Sequence, residues 1–437
     1  MKKVRTHIAE IPKEQGKTVT IMGHAEIIRA QSSVAFVIVR DITGTMQCVV
    51  TNDCADFETA RKLTAESVVE VTGTIAAAPK EGIEVQVESM RVISAAEALP
   101  IPVVEKGNAE VTSEKRQDWR FLAMRRPREA TAMRVLSAVH QGYRDALLEV
   151  GFIEIATPKI MGTPSESHAE LFKIDYFGQP AYLSQSAQLY KQMAIAGGLE
   201  HVFEISPTFR ADPSFTTRHA TEFITLEGEM GYIQSFDEVL DALEKSVARI
   251  LTAVRKSCGR EIKKHFGISD FQLKKPIPRI TMHRAKEILR ERGQASEDAD
   301  LTPAEERAIC EYVSQEFGCD FVFITEFPWG ARPFYHKKGV SSDTGEPISV
   351  SADPLYKGIE LTTAAQREER YETLCAQVAE KGLTQEGLQW YLDFFRYGMP
   401  PHGGWGMGSE RIVKQLLGLP SIRDAQFLFR GPNRLMP

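Results

Sequence analysis

Apolar and polar residues alternate early in the chain. Runs at TVTIMGHAEIIRA, VAFVIVRD, TMQCVVT, SVVEVTGTI and GIEVQVESMRVI are separated by turn signals such as Asp41-Ile42-Thr43-Gly44. This pattern predicts five short strands between Thr18 and Ile93. A helix-like stretch, DFETARKL, falls between the third and fourth. From Ala95 the alternation lapses and Pro and charge rise, which predicts a hinge over 97–126. The period then lengthens. Leu136, Val139, Tyr143 and Leu147 predict a helix from Arg128 to Val150, with Gly151 at its end and the strand GFIEIATPKI beyond. Ser235 and Glu238 form a capping box before a stripe of Val239, Leu243, Val247, Ile250 and Val254. A mainly helical insertion is expected over about 281–318, with Thr302-Pro303 as one helix start. Nothing in it suggests chemistry.

Five strands in so short a span suggest a small closed barrel, and the OB-fold is the five-strand form that takes oligonucleotides. Phe36, Gln47 and Glu84 would lie on or near its binding face, an aromatic for stacking beside hydrogen-bonding groups. From periodicity alone Phe36 reads more readily as core.

The stretch EISPTFRADPSFTTRHATEFITLEGEM, Glu204 to Met230, reads as two antiparallel strands joined by a polar loop. Arg210, Arg218 and His219 sit at the base of that loop, where strands can aim several cations at one polyanion. Arginine suits this because its planar fork stays charged and binds phosphate oxygens in pairs.

Composition narrows the class without choosing it. The 437 residues suffice for two or three domains, and 43% hydrophobic with 26% charged is ordinary for a soluble protein. The net charge of −6 means that nucleic-acid contact must rely on local basic patches. Six scattered cysteines with no CxxC pair read as free thiols of a reducing cytoplasm. The N-terminus lacks the apolar core of a secretory signal, and no run is apolar enough to span a membrane.

The string FRA…TTRH…TEF resembles motif 2 of the class II aminoacyl-tRNA synthetases, in the form of the aspartyl/asparaginyl/lysyl subgroup. The helix, strand and Pro158 resemble motif 1, and YGMPPHGGWGMGSERIVKQLLG resembles motif 3. RFLAMRRP resembles the start of the catalytic region and QSAQLYKQ the amino-acid pocket. The likeness spans nearly the whole chain and is nearest to the aspartyl enzymes of archaeal and eukaryotic type.

The resemblance implies an α+β multidomain protein: an OB-fold anticodon-binding domain (1–96), a hinge (97–126) and a class II catalytic domain (127–437) whose antiparallel β-sheet is flanked by helices. It implies a cytoplasmic homodimer, joined through motif 1, that attaches L-aspartate to tRNA(Asp) at the expense of ATP with Mg2+. Whether tRNA(Asn) is also charged stays open, because the barrel position His24 departs from the usual Trp. Arg210, Glu360 and Arg411 would be catalytic. ATP would contact Arg210, Asp212, Arg218, His219, Phe223, Glu360, Gly408, Ser409, Glu410 and Arg411, with adenine between Phe223 and Arg411. The amino acid would meet Glu166, Gln188, Lys191, Arg210, Glu227, Thr363 and Arg367. The metal would sit on Glu360 and Thr363, and Phe36, Gln47 and Glu84 would touch the anticodon.

Several positions depart from the aspartyl pattern. Glu227 stands where Asp is usual and Glu is asparaginyl, QREER also looks asparaginyl, Thr363-Ala364-Ala365 replaces Ser-Gly-Gly, and Asp212 replaces Glu. Lys191 argues the other way. Two cations, Lys191 and Arg367, aimed at one side chain fit a carboxylate better than an amide, since a poorly satisfied buried group costs about 1–3 kcal/mol. An asparaginyl enzyme is the alternative, and a synthetase-derived RNA-binding protein that no longer charges tRNA is a third reading.

Overall fold

A computed structural model describes the chain apart from residues 1–4, 13, 80–81, 105–110, 164–170, 215 and 275. The chain divides into two compact units, Met1–Trp119 and Arg120–Pro437.

In the first unit the strands Thr18–Ala30, Val34–Asp41, Gly44–Thr51, Val68–Ala77 and Ile83–Ser94 close into a barrel. Four neighbouring pairs run antiparallel, and Gly44–Thr51 closes on Ile83–Ser94 in parallel. Odd positions of the second strand, Ala35, Val37 and Val39, point inward with no exposure and join Ile21, Val50, Val71 and Val85 in the core. The even positions therefore face out, and Phe36 is one of them. The helix-like stretch forms the helix Phe57–Lys62. The segment expected to be a hinge is partly helical, at Ser113–Asp118 and Arg120–Ala123. Polar composition hid this, because the ordering comes from outside the segment. Arg120 is buried, and its guanidinium donates to the carbonyls of Gln426 at 2.6 Å and Phe427 at 3.0 Å.

The second unit is built on a mixed sheet of ten described strands. Its centre is antiparallel: His201–Phe209 pairs with Glu222–Gly231, which pairs with His402–Gly408. It is not antiparallel throughout. Ile153–Glu154 and Arg279–Thr281 add parallel pairings at the two ends of the strand order, each reached through a helical crossover. The predicted stripe lies on the helix Phe236–Phe266, whose Ser235–Glu238 capping box is formed. Val239, Leu243, Val247, Ile250 and Val254 are buried, in one core with Val135, Val139 and Tyr143 of the helix Pro127–Leu148. Each such side chain contributes about 1.5–3 kcal/mol of burial free energy. This apolar layer backs the sheet and leaves its other face open. The 281–318 segment supplies a short strand and the helices Met282–Glu291 and Pro303–Phe317, the latter with a formed Thr302–Glu305 capping box. Among the described residues no helix is long and apolar enough to cross a membrane.

Candidate active site

The open face of the sheet carries a cavity of about 430 Å³. Strand His201–Phe209 ends at Arg210, and the chain returns through Arg218 and His219 into Glu222–Gly231. The expected hairpin thus forms, in a register that sets Phe223 opposite Thr208 and Glu227 opposite Glu204. Arg210, Asp212, Arg218, His219 and Phe223 all line the cavity, as do Glu360, Gly408, Glu410 and Arg411 from the far side.

Positive charge dominates this end. The Arg210 guanidinium has no hydrogen-bond or ion-pair partner among the described residues and lies 5.6 Å over the Phe223 ring. Burial, against the pull of Asp212 and with the push of Arg411 and Arg218, lowers the imidazole pKa of His219. The His219 ring nitrogen Nδ1 lies 2.6 Å from the Thr216 hydroxyl. Arg411 follows the glycine strand at the start of helix Ser409–Leu417 and donates to the Glu360 carbonyl at 2.7 Å. Two residues of this predicted set act differently. Ser409 has no exposure and donates to Glu410 at 3.0 Å, so it supports the helix start instead of facing the cavity. The Glu410 carboxyl is occupied by the Ile224 amide at 3.0 Å and the Gln426 amide at 3.3 Å, and burial raises its pKa.

At the edge between the two ends stand Glu360 and Thr363. The Thr363 hydroxyl accepts from Arg332 at 3.2 Å, and Arg332 also holds Asp353 at 2.6 Å. Asp353 is buried, its Oδ1 has no hydrogen-bond partner of ordinary geometry among the described residues, and burial together with repulsion from Glu360 raises its pKa against the pull of Arg332 and Thr363. Two neighbouring carboxylates with an orphaned oxygen fit a hard divalent cation. Among the described residues no three acidic, imidazole or thiol side chains form a metal cluster. Such an ion would therefore complete its shell from water and phosphate, as Mg2+ prefers.

The opposite end is electrically balanced. Gln188 and Lys191 lie in the first turns of helix Gln188–Ala196, which follows the strand Gln179–Leu183. Lys191 does not reach the cavity. It has no exposure, and its ammonium is taken by Glu227 at 2.7 Å, the Trp405 carbonyl at 2.8 Å and the Gly228 carbonyl at 3.2 Å. Glu229 adds a fourth acceptor at 3.4 Å, so the ammonium is fully engaged away from the cavity and the two-cation reading of the pocket fails on geometry. Arg367 is held by Glu229 at 3.0 Å and by the Gln188 carbonyl oxygen at 2.9 Å. Its Nη1 edge has no partner among the described residues, and the residue lines the cavity. Burial pushes the Glu229 carboxyl up, but Arg367 and Lys191 pull it down further, leaving it below its ordinary range. Both carboxylates face glycines across the sheet, Glu227 opposite Gly406 and Glu229 opposite Gly404. A methyl on Gly404 would lie 2.3 Å from a Glu229 oxygen, and one on Gly406 would lie 2.8 Å from a Glu227 oxygen.

Of the expected amino-acid residues, Gln188, Arg210, Glu227, Thr363 and Arg367 line one cavity. Glu166 lies outside the described residues. Sequence reasoning missed Glu229, Arg332 and Asp353. The period-two spacing of Thr225, Glu227 and Glu229 was the signal for the first, and the other two offered none.

On the barrel, Phe36 and Gln47 are half-buried on the outer face, and the Gln47 amide donates to Glu84 at 2.8 Å. Gln86 donates to the other Glu84 oxygen at 2.9 Å, a further member of that patch.

The fold and the cavity together define the class II aminoacyl-tRNA synthetase architecture. Within it, the chain belongs to the family of class II tRNA synthetases (D, K and N), which matches residues 112–430, and residues 19–93 match the OB-fold nucleic acid binding domain. It is 39% identical to the aspartate–tRNA(Asp/Asn) ligase of Aeropyrum pernix, over 97% of this chain and 96% of that protein. It is 37% identical to the aspartate–tRNA(Asp) ligase of Thermococcus kodakarensis, over 99% and 100%. Among solved structures, the asparaginyl-tRNA synthetase of Pyrococcus horikoshii complexed with asparaginyl-adenylate is similar with a TM-score of 0.92 and 33% identity, covering 100% of both chains. The aspartyl-tRNA synthetase of Entamoeba histolytica gives 0.88 and 31%, covering 99% of this chain and 92% of that one.

Proposed function

We propose that this chain attaches L-aspartate to tRNA(Asp), and to tRNA(Asn) as a second acceptor, through an aspartyl-adenylate. The observation that carries the proposal is the conjunction of partnerless Arg210 and the free Arg367 edge in one cavity, in a chain similar along its whole length to aspartate–tRNA ligases. ATP would lie along Arg210, Arg218, His219 and Arg411, with adenine against Phe223. Arg210 would stabilise charge on the α-phosphorus as the amino-acid carboxylate attacks it in line. The free Arg367 edge would receive the substrate side chain, and Gln188 would keep that guanidinium in place. Glu360 and Asp353, with the Thr363 hydroxyl, would hold Mg2+, which neutralises charge on the pyrophosphate. No protein nucleophile is needed, so positioning and charge stabilisation account for the rate. Phe36, Gln47, Glu84 and Gln86 would meet the anticodon. The activity belongs to translation, so a cytoplasmic location is part of the proposal.

A homodimer is also part of it. Leu148, Val150, Ile153 and Ile160, around the segment resembling motif 1, are 51%, 59%, 45% and 49% exposed. Exposed apolar side chains concentrated in one stretch of chain are candidates for burial against a second copy. Val150→Asp with Ile153→Asp should yield monomers in sedimentation.

A second reading, asparagine, is favoured by the Lys191–Glu227 pair, which leaves the side-chain end of the pocket electrically balanced. Pyrophosphate exchange without tRNA decides between them. Exchange with aspartate and not asparagine supports the proposal, exchange with asparagine alone makes the chain asparaginyl, and exchange with neither removes both.

A further inference from the structure

The first turn of helix Pro303–Phe317 carries two adjacent buried carboxylates, Glu305 and Glu306, which point different ways. Glu305 is explained by its own segment. It accepts from Lys286 at 2.7 Å and from the amides of Ser296 and Thr302, each at 2.8 Å. Glu306 turns out of that segment toward the cavity. One oxygen, Oε2, accepts from the Arg218 guanidinium and from the Glu360 amide, the latter at 3.2 Å. A residue from the helical insertion thus bridges one phosphate-end arginine and the carboxylate strand that faces it. The bridge is an anomaly on electrostatic grounds. An incoming triphosphate needs Arg218, and a carboxylate already neutralises it.

We infer that Glu306 is a positioning residue that couples ATP binding to the divalent cation. Resting on the nucleotide-site reading above, Glu306 takes on Arg218 the place that a phosphate would take. When the triphosphate arrives, Arg218 exchanges one anion for another. Glu306 is then left beside Glu360 with its charge uncompensated, where a divalent cation held by Glu360 offsets it. Metal-free ATP therefore has to displace Glu306 without compensation, whereas the metal complex brings the missing charge with it. No covalent step is involved.

The test is ATP affinity of the full chain by calorimetry, with Mg2+ and with EDTA, for wild type and Glu306→Gln. The glutamine keeps an acceptor for the Glu360 amide and removes the charge. The expected result is that the ratio of metal-free to Mg2+-supported Kd falls about tenfold in the variant, mainly because metal-free ATP binds more tightly. A ratio equal to wild type would overturn the role of Glu306, since a purely structural contact would shift both constants together. Should Glu306→Gln lose its native melting transition, Glu306→Asp serves, keeping the charge and withdrawing it by one methylene, with a smaller fall in the ratio expected and an unchanged one overturning. Failure of the wild type to bind ATP under either condition would overturn the nucleotide-site reading itself, a different outcome.

Discussion

At the nucleotide end of the cavity Arg210 has no counter-ion among the described residues, whereas at the amino-acid end Lys191 and Arg367 each have a carboxylate of their own. The difference follows from what each end must bind. A polyphosphate brings several negative charges and needs cations left unsatisfied. A zwitterion with one small side chain needs a few correctly aimed donors, and an unpaired buried cation there would cost several kcal/mol in desolvation. Under the proposed function, selection at the amino-acid end would rest on the placement of donors and acceptors more than on net charge, with the Glu227–Lys191 and Glu229–Arg367 pairs acting as units.

The largest test of this contrast is Arg210→Ala. Because that guanidinium rests over the Phe223 ring but makes no hydrogen bond or ion pair among the described residues, the variant should nearly keep its melting temperature while pyrophosphate exchange falls about 10²–10³-fold. A loss under tenfold would break the contrast at its nucleotide end. At the other end the prediction inverts. Lys191→Met should lower unfolding free energy by about 3–5 kcal/mol in denaturant titrations, because it strands the buried Glu227 carboxylate. Adding Glu227→Leu should restore much of that loss, since an apolar pair can replace a buried ion pair.

A smaller effect comes from His402. It has no exposure and uses both ring nitrogens, Nδ1 donating to the Pro400 carbonyl at 2.9 Å and Nε2 accepting from Gln192 at 2.8 Å. The Tyr391 hydroxyl bonds the other end of that amide at 3.0 Å and keeps it from turning. Burial lowers the His402 pKa, and burial with Arg367 and Arg332 holds His336 well below the ordinary value. Both folded values lie below the unfolded value, so folding favours the neutral ring. The stabilisation is complete above about pH 6.5 and is lost as pH falls below it, by up to about 1.4 kcal/mol per pH unit for each histidine. Denaturant midpoints at pH 7 and pH 5 should show the decline, and His402→Gln should make it shallower. An unchanged slope in that variant would assign the decline elsewhere.

Much of this was legible in the sequence where local rules suffice. The strand over Val34–Asp41 and the capping boxes at Ser235 and Thr302 came from period and caps alone. The cationic loop was legible because Arg210, Arg218 and His219 flank one hairpin. Lys191 was misread because the resemblance of QSAQLYKQ put it in the pocket, and a local motif does not tell what waits across the sheet. Its partners come from the Glu222–Gly231 and His402–Gly408 strands, far along the chain. The same distance hid Arg332 and Asp353, which sit on a strand and turn with ordinary composition. Arg120 was taken for part of a polar hinge because its acceptors are backbone carbonyls near the C-terminus, which no composition reveals.

Gly404 and Gly406 carry an evolutionary consequence. The carboxylates of the pocket floor press against a strand that presents no side chains, so the depth of the pocket is set by missing atoms. A methyl on Gly406 would force the Glu227 carboxylate to move and drag its paired cation along, whereas one on Gly404 would also meet the Gly228 backbone carbonyl at 2.1 Å and break the strand pairing. A lineage could thus reshape the pocket floor with one carbon at Gly406, leaving the barrel, the apolar layer and the phosphate-facing arginines untouched.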